Sequence, residues 1–310
     1  MKLVTFETNN ARHIGAVLAG GTTISDFTAA GDAHFADMLA LIDGGEAALD
    51  AARKLEAKPA KVVDLSAVRL LAPVPTPRAM FDCLCFEKHL VQSARNGHMV
   101  RGGPPVIPVN DGVIPEVYKE LPVYYKGNRF SVIGTGQDII CPRYTTKLDY
   151  EMEFGVFLGK TGKNLTKEEA AENIFGYCIF NDVSARDIQM SEMRGMLGPS
   201  KGKDFDTGNV MGPWLVTADE VPDAQNLKME VYLNGEKVSS GSSADMMHTF
   251  PEIVAYSSQD ETRRPGEFFG SGTVGGGCGL ETGRLLENGD VLEMEVTGLG
   301  RLRNKIVFQD

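Results

Sequence analysis

No run in these 310 residues approaches the roughly 20 apolar positions a membrane-spanning helix needs. Basic charge is scarce: 31 Lys and Arg stand against 42 Asp and Glu, a formal net charge of −11. With no basic surplus to neutralise phosphates, nucleic acid is not an expected partner, and neither is an anionic membrane surface. Cysteines number only five, an odd count with no C-x-x-C pair. That usage argues against a disulfide scaffold and fits a reducing, cytoplasmic setting. At the N-terminus, Glu7, Asn9, Asn10 and Arg12 interrupt any apolar stretch, so a signal peptide is not expected. The five His include no pair at zinc-ligand spacing, and Cys83, Cys85 and His89 lack the further Cys pair that would complete a thiolate site. The glycine-rich GSGTVGGGCG at residues 270–279 lacks the G-K-[ST] ending of a phosphate loop. The residues after it read as a turn and a strand rather than a helix. This suits backbone approached closely by a ligand better than a nucleotide site.

What is present suffices for a large core, in two domains or in one with an appendage. Short strands are expected at 3–6, 14–18 and 22–26, then two short helices between 33 and 55 broken at Gly44-Gly45, then a strand at 68–71. Pro73, Pro75 and Pro77 favour an extended connector. A boundary there divides a small N-terminal domain, 1–72, from a larger one, 78–310. Past a short apolar run at 80–86, the Gly- and Pro-rich residues 97–122 read as a cover over a site. Helices are expected at 166–173, with Thr166 and Glu169 as a capping box, at 184–196 with Ser184 as N-cap, and at 249–258 with Pro251 in the first turn. Strands are expected at 174–180, 214–217, 228–233, 236–240, 290–297 and 305–308, with Asn234-Gly235 as a hairpin turn. Many strands, few helices and no regular β-α alternation make a mainly β, α+β architecture.

The chain centres on residues 147–158, KLDYEMEFGVFL. As a strand it turns Glu151, Glu153, Gly155 and Phe157 one way and Met152, Phe154, Val156 and Leu158 the other. Taken alone, this is a half-buried strand with a wet polar face. Away from water, the two carboxylates would repel by about 4 kcal/mol at 4 Å and an effective dielectric near 20, unless they shared a cation. Asp182 closes the run IFGYCIFND just before a helix, well placed to face a cavity, and Arg186 and Gln189 share a face of that helix.

Together, LDYEMEF, FNDVSARDIQ, KDFDTGNVMGPW and GSGTVGG, in that order over residues 78–305, resemble the fumarylacetoacetate hydrolase family. The resemblance implies a mixed β-roll core with a small N-terminal α/β domain. It also implies a divalent cation, Mg2+ or Ca2+ with Mn2+ a further candidate, held by Glu151, Glu153, Asp182 and Asp82, with Lys203 and Thr207 lining the metal region. His89 corresponds to the general base and Glu281 to the acid that orients it. Lys203 and Gln189 would stabilise an oxyanion, while Arg101, Tyr125, Arg186, Gln189 and Thr273 would contact substrate. Met193 stands where enzymes acting on fumarylacetoacetate carry a Tyr. The implied activity is hydrolysis of a C–C bond in a β-diketo acid, an acylpyruvate or a fumarylacetoacetate-like compound, by a homodimer. The alternative is decarboxylation, hydration or lysis of a 2-oxo acid such as oxaloacetate on the same metal.

Overall fold

Strand-forming runs interrupted by Asn9-Asn10 and Gly20-Gly21, all four at positive φ, make a meander of β1 (Lys2–Thr8), β2 (Ala11–Val17) and β3 (Thr23–Asp26). The structure is a computed structural model that describes residues 1–101 and 114–309. Asp37 caps α1 (Met38–Asp43) by accepting from the Ala40 N–H, and the glycine pair separates α1 from α2 (Gly45–Ala57). The chain continues through β4 (Val62–Asp64), β5 (Met80–Cys83), α3 (Glu87–Asn96), β6 (Tyr124–Lys126) and β7 (Met152–Leu158). Then come α4 (Lys167–Asn173), β8 (Ile174–Asp182), α5 (Arg186–Met193), β9 (Asn209–Thr217), β10 (Lys228–Leu233) and β11 (Glu236–Ser242). The last elements are α6 (Phe250–Ser257), β12 (Phe268–Gly270), the single turn α7 (Gly279–Thr282), β13 (Val291–Val296) and β14 (Gly300–Phe308). The expected capping box of Thr166 with Glu169 and the Asn234-Gly235 turn are present, and the structure adds a second box, Thr249 with Glu252, at the start of α6.

One twelve-stranded sheet runs β4-β3-β2-β1-β9-β8-β7-β12-β5-β6, with two short strands pairing off this row. A second sheet runs β11-β10-β13-β14 and ends on Ile139–Cys141. The first strand docks far along the chain, Lys2 opposite Val216. Leu3, Ile14, Phe27 and Phe35 accordingly pack in one apolar cluster with Phe157, Phe180, Leu215 and Phe268. Burying each such side chain contributes about 1.5–3 kcal/mol. Among the described residues, no helix is long and apolar enough to cross a membrane.

Two local expectations change. β7 lies between β8 and β12 with all seven residues buried, so its polar face is not wet. Ser184 does not cap a helix. It pairs with Asp149 in a two-residue bridge of strands, and the helix begins at Arg186. Strand pairing takes the backbone the cap would need.

Candidate active site

Adjacent strands put Gly155, Gly270, Asp82 and Tyr125 in one row across β7, β12, β5 and β6. Gly270 is the reason two acids can meet over that row. A Cβ there would lie 2.3 Å from Asp82 Oδ1 and 3.1 Å from Glu153 Oε2. Asp182, at the end of β8, completes the group: one oxygen from each of Asp82, Glu153 and Asp182 lies within 4.8 Å of the others. All three are buried. Glu153 accepts from the Gly272 N–H at 2.9 Å and the Thr273 hydroxyl at 3.4 Å. Asp182 accepts from the Tyr125 hydroxyl at 2.5 Å and from the Lys203 ammonium. Asp82 Oδ1 and Asp182 Oδ1 are buried with no hydrogen-bond partner among the described residues.

Burial, then the neighbouring acids, pushes Asp82 and Glu153 well above the usual carboxylate range. Burial also raises Asp182, against the pull of Lys203. Three acids crowded this way cannot all ionise beside one ammonium. Their free lone pairs and all-oxygen chemistry fit a hard divalent cation of the Mg2+, Ca2+ or Mn2+ kind.

Glu151 stands outside that triad. The chain reaches it before β7 begins, where it bridges to Cys278. It accepts from Lys203 Nζ at 2.5 Å and Arg186 Nη1 at 2.6 Å. Burial opposes its ionisation, but Arg186, Lys203 and His89 outweigh burial and hold its carboxyl far below the usual range. Lys203 is therefore an ammonium shared between Glu151 and Asp182, a counter-charge rather than a metal ligand.

A second group forms the wall. His89, on α3, holds Nδ1 3.3 Å from Glu281 Oε2 and Nε2 3.9 Å from Glu151 Oε1. Glu281 is fixed by the backbone N–H groups of Gly276 at 2.9 Å and Cys278 at 3.0 Å. Arg186 Nε donates to Asp149 at 2.8 Å and its Nη1 to Gln189 Oε1 at 2.9 Å, while its Nη2 is buried without a partner among the described residues. Floor and wall open on one cavity of about 1200 Å³, lined by Asp82, His89, Tyr125, Glu151, Asp182, Arg186, Gln189 and Lys203, with Met190, Met193 and Leu197 on its apolar side.

Thr207 stands apart from this cavity. It sits at φ 68, and its hydroxyl is taken by the Ile140 backbone, whose N–H it accepts at 2.9 Å. The side chain of Arg101 and most of the expected cover, residues 102–113, lie outside the described residues. Asp149, within LDYEMEF but not among the candidate ligands or catalytic residues, is a further residue of the site. This buried acid accepts from the N–H groups of Tyr150, Gly279 and Leu280 and from Arg186, and so ties α7, which carries Glu281, to the site. Its signal was an Asp inside an otherwise buried strand segment.

A mainly stranded α/β fold that gathers acids and a His–Glu pair around one cavity defines a class of carboxylate-rich enzyme site. The chain belongs to the fumarylacetoacetate hydrolase family: the model of the fumarylacetoacetate (FAA) hydrolase C-terminal region matches residues 83–307. The oxaloacetate tautomerase YisK of Bacillus subtilis (strain 168) is 32% identical over 78% of this chain and 74% of its own. The mitochondrial oxaloacetate tautomerase FAHD2A of Homo sapiens is 31% identical over 99% of this chain and 92% of its own. Among solved structures, the fumarylacetoacetate hydrolase of psychrophilic Exiguobacterium antarcticum superposes with a TM-score of 0.75 at 28% identity, covering both chains in full.

Proposed function

We propose that the protein moves a proton at the carbon beside the carbonyl of a small 2-oxo acid, interconverting the keto and enol forms of an oxaloacetate-like diacid. The observation that carries this reading is the juxtaposition, on one cavity, of His89 held by Glu281 and the cationic pair Lys203 and Arg186. Arg186 Nη2, without a partner among the described residues, suits a substrate carboxylate. Lys203 carries its charge between Glu151 and Asp182, close to where an enolate oxygen would develop. A proton on Nδ1, facing Glu281, leaves Nε2 as the acceptor, so His89 takes the proton from carbon and delivers it to the enolate oxygen to give the enol, the reverse path giving the keto form. Gln189 is oriented by Arg186 and offers its amide to the same end of the substrate. Asp82, Glu153 and Asp182 would hold the divalent cation, which when bound supplies Lewis-acid stabilisation of the developing negative charge. The two oxaloacetate tautomerases, similar along most of the chain, support this substrate class.

The second reading is hydrolysis of a C–C bond in an acylpyruvate or related β-diketo acid, with His89 accepting a proton from water instead of carbon. Support for it comes from the family and from the likeness to the Exiguobacterium hydrolase. A homodimer in a reducing compartment belongs to both readings. The test is an assay with Mg2+ in which decay of enol-oxaloacetate is followed by ultraviolet absorbance, beside NMR analysis of products from acylpyruvates. Fast enol decay without cleavage, lost in His89→Ala, is expected. Two acids released from an acylpyruvate, with no effect on enol decay, would favour hydrolysis.

A further inference from the structure

On the Glu281 side of His89, three chemically different donors converge. A ring nitrogen of His89, the Cys278 sulfur and a carboxylate oxygen of Glu281 lie within 4.8 Å of one another. Nδ1 is the nitrogen that faces Glu281, and it is buried without a hydrogen bond among the described residues. His89 as a whole is 5% exposed, and Cys278 is fully buried. Cys278 sits just before α7, and its carbonyl accepts the Glu281 backbone N–H at 3.1 Å. Nothing in the proton-transfer scheme uses this thiol.

We propose that His89, Cys278 and Glu281 form a second metal site, suited to a borderline-soft dication of the Zn2+ class, and that filling it switches the enzyme off. The donor set is that of zinc: imidazole, thiolate and carboxylate, three of the four ligands a tetrahedral ion takes. One thiolate and one carboxylate balance a dication in charge, which a buried site requires. On binding, the S–H bond breaks, the sulfur keeps the electron pair and bonds the metal, and the proton leaves to water. The acid floor offers oxygen alone, so the two sites sort ions by softness, a hard cation below and a softer one behind His89.

The shut-off comes from tautomer chemistry and rests on the proton-acceptor role proposed for His89. With a metal on Nδ1 the neutral ring must carry its hydrogen on Nε2, so the nitrogen that would accept a proton becomes a donor. Glu281 is drawn to the metal at the same time and no longer orients the ring.

The experiment uses the full chain in excess Mg2+, which occupies the oxygen site, titrated with Co2+ as a spectroscopic probe and then with Zn2+. An intense thiolate-to-cobalt charge-transfer band is expected in the wild type, displaced by Zn2+ and absent in Cys278→Ser. Serine removes the thiolate at nearly the same size, and the Mg2+-supported turnover of each protein before Zn2+ is added serves as its own reference. Zn2+ should stop wild-type turnover, and the variant should need at least about tenfold more Zn2+ for the same loss. The band is read without substrate, so it reports on the site whichever reaction the enzyme runs. No band in the wild type, or the same band in Cys278→Ser, overturns the site. A band lost in the variant, with wild-type turnover unaffected when the site is full, overturns the shut-off and the role of His89 with it.

Discussion

The floor of the cavity and its wall are built from the same kinds of side chain, yet they differ in how their charges are settled. On the wall, every carboxylate has its partner within the chain: Glu281 rests on two backbone N–H groups, and Asp149 on three and on Arg186. On the floor, only Asp182 among Asp82, Glu153 and Asp182 touches an ammonium, and one oxygen each of Asp82 and Asp182 has no hydrogen-bond partner among the described residues. A network satisfied internally holds its shape by itself, whereas one left short of positive charge is completed by something from outside. Substitutions on the wall should therefore cost reaction rate, and substitutions on the floor should cost stability and cation affinity.

The sharpest way to break this contrast is His89→Ala. Loss of a general base should lower kcat by about 10²- to 10⁴-fold, with the melting temperature and Mg2+ affinity close to wild type. Steady-state kinetics beside a thermal melt checks it, and an equal loss of Mg2+ binding would merge the two regions. Lys203→Met removes the one cation between Glu151 and Asp182. Leaving buried acids uncompensated should cost about 3–5 kcal/mol in urea unfolding with chelator present.

The pH dependence separates the regions further. Asp82 and Glu153 are raised, by burial first and by neighbouring acids second, so folded, metal-free protein keeps protons that the unfolded chain loses near the ordinary values of 3.8 and 4.5. Their contribution to stability is complete below that range and is lost as the pH rises through the folded values. Glu151 runs the other way: its contribution is present above 4.5 and is lost as the pH falls through its depressed value. Mg2+ requires the ionised acids, so the rise in melting temperature it gives should grow as the pH climbs above 4.5. A gain that shrinks with rising pH would contradict the assignment. The smallest effect expected is a control outside both regions. Thr166→Ala removes a helix cap and should cost about 1 kcal/mol with kcat and cation affinity unchanged.

Features set by neighbours in the chain were legible in the sequence. The capping box at Thr166, the tolerated Pro251 at the start of α6, the Asn234-Gly235 hairpin and the break between α1 and α2 depend on a few adjacent residues. The acids of the site were legible through ordered motifs, though not their division of labour. Spacing of two put Glu151 and Glu153 on one face, but Glu151 precedes the strand, bridges Cys278 and turns to Arg186 and Lys203. Asp82 entered through a parallel pairing of β5 with β12, between segments nearly 190 residues apart by sequence number, which no local pattern encodes. Ser184 failed as a cap for a related reason, since its backbone pairs with Asp149.

The contrast rests on the proposal that Asp82, Glu153 and Asp182 hold a divalent cation. Its most direct test is calorimetric titration of Mg2+ into metal-free wild type and Glu153→Gln. Saturable binding is expected in the wild type, weakened at least about tenfold in the variant, which keeps the side chain's shape but not its charge. Equal affinity in the two proteins, or no saturable binding in the wild type, would contradict it.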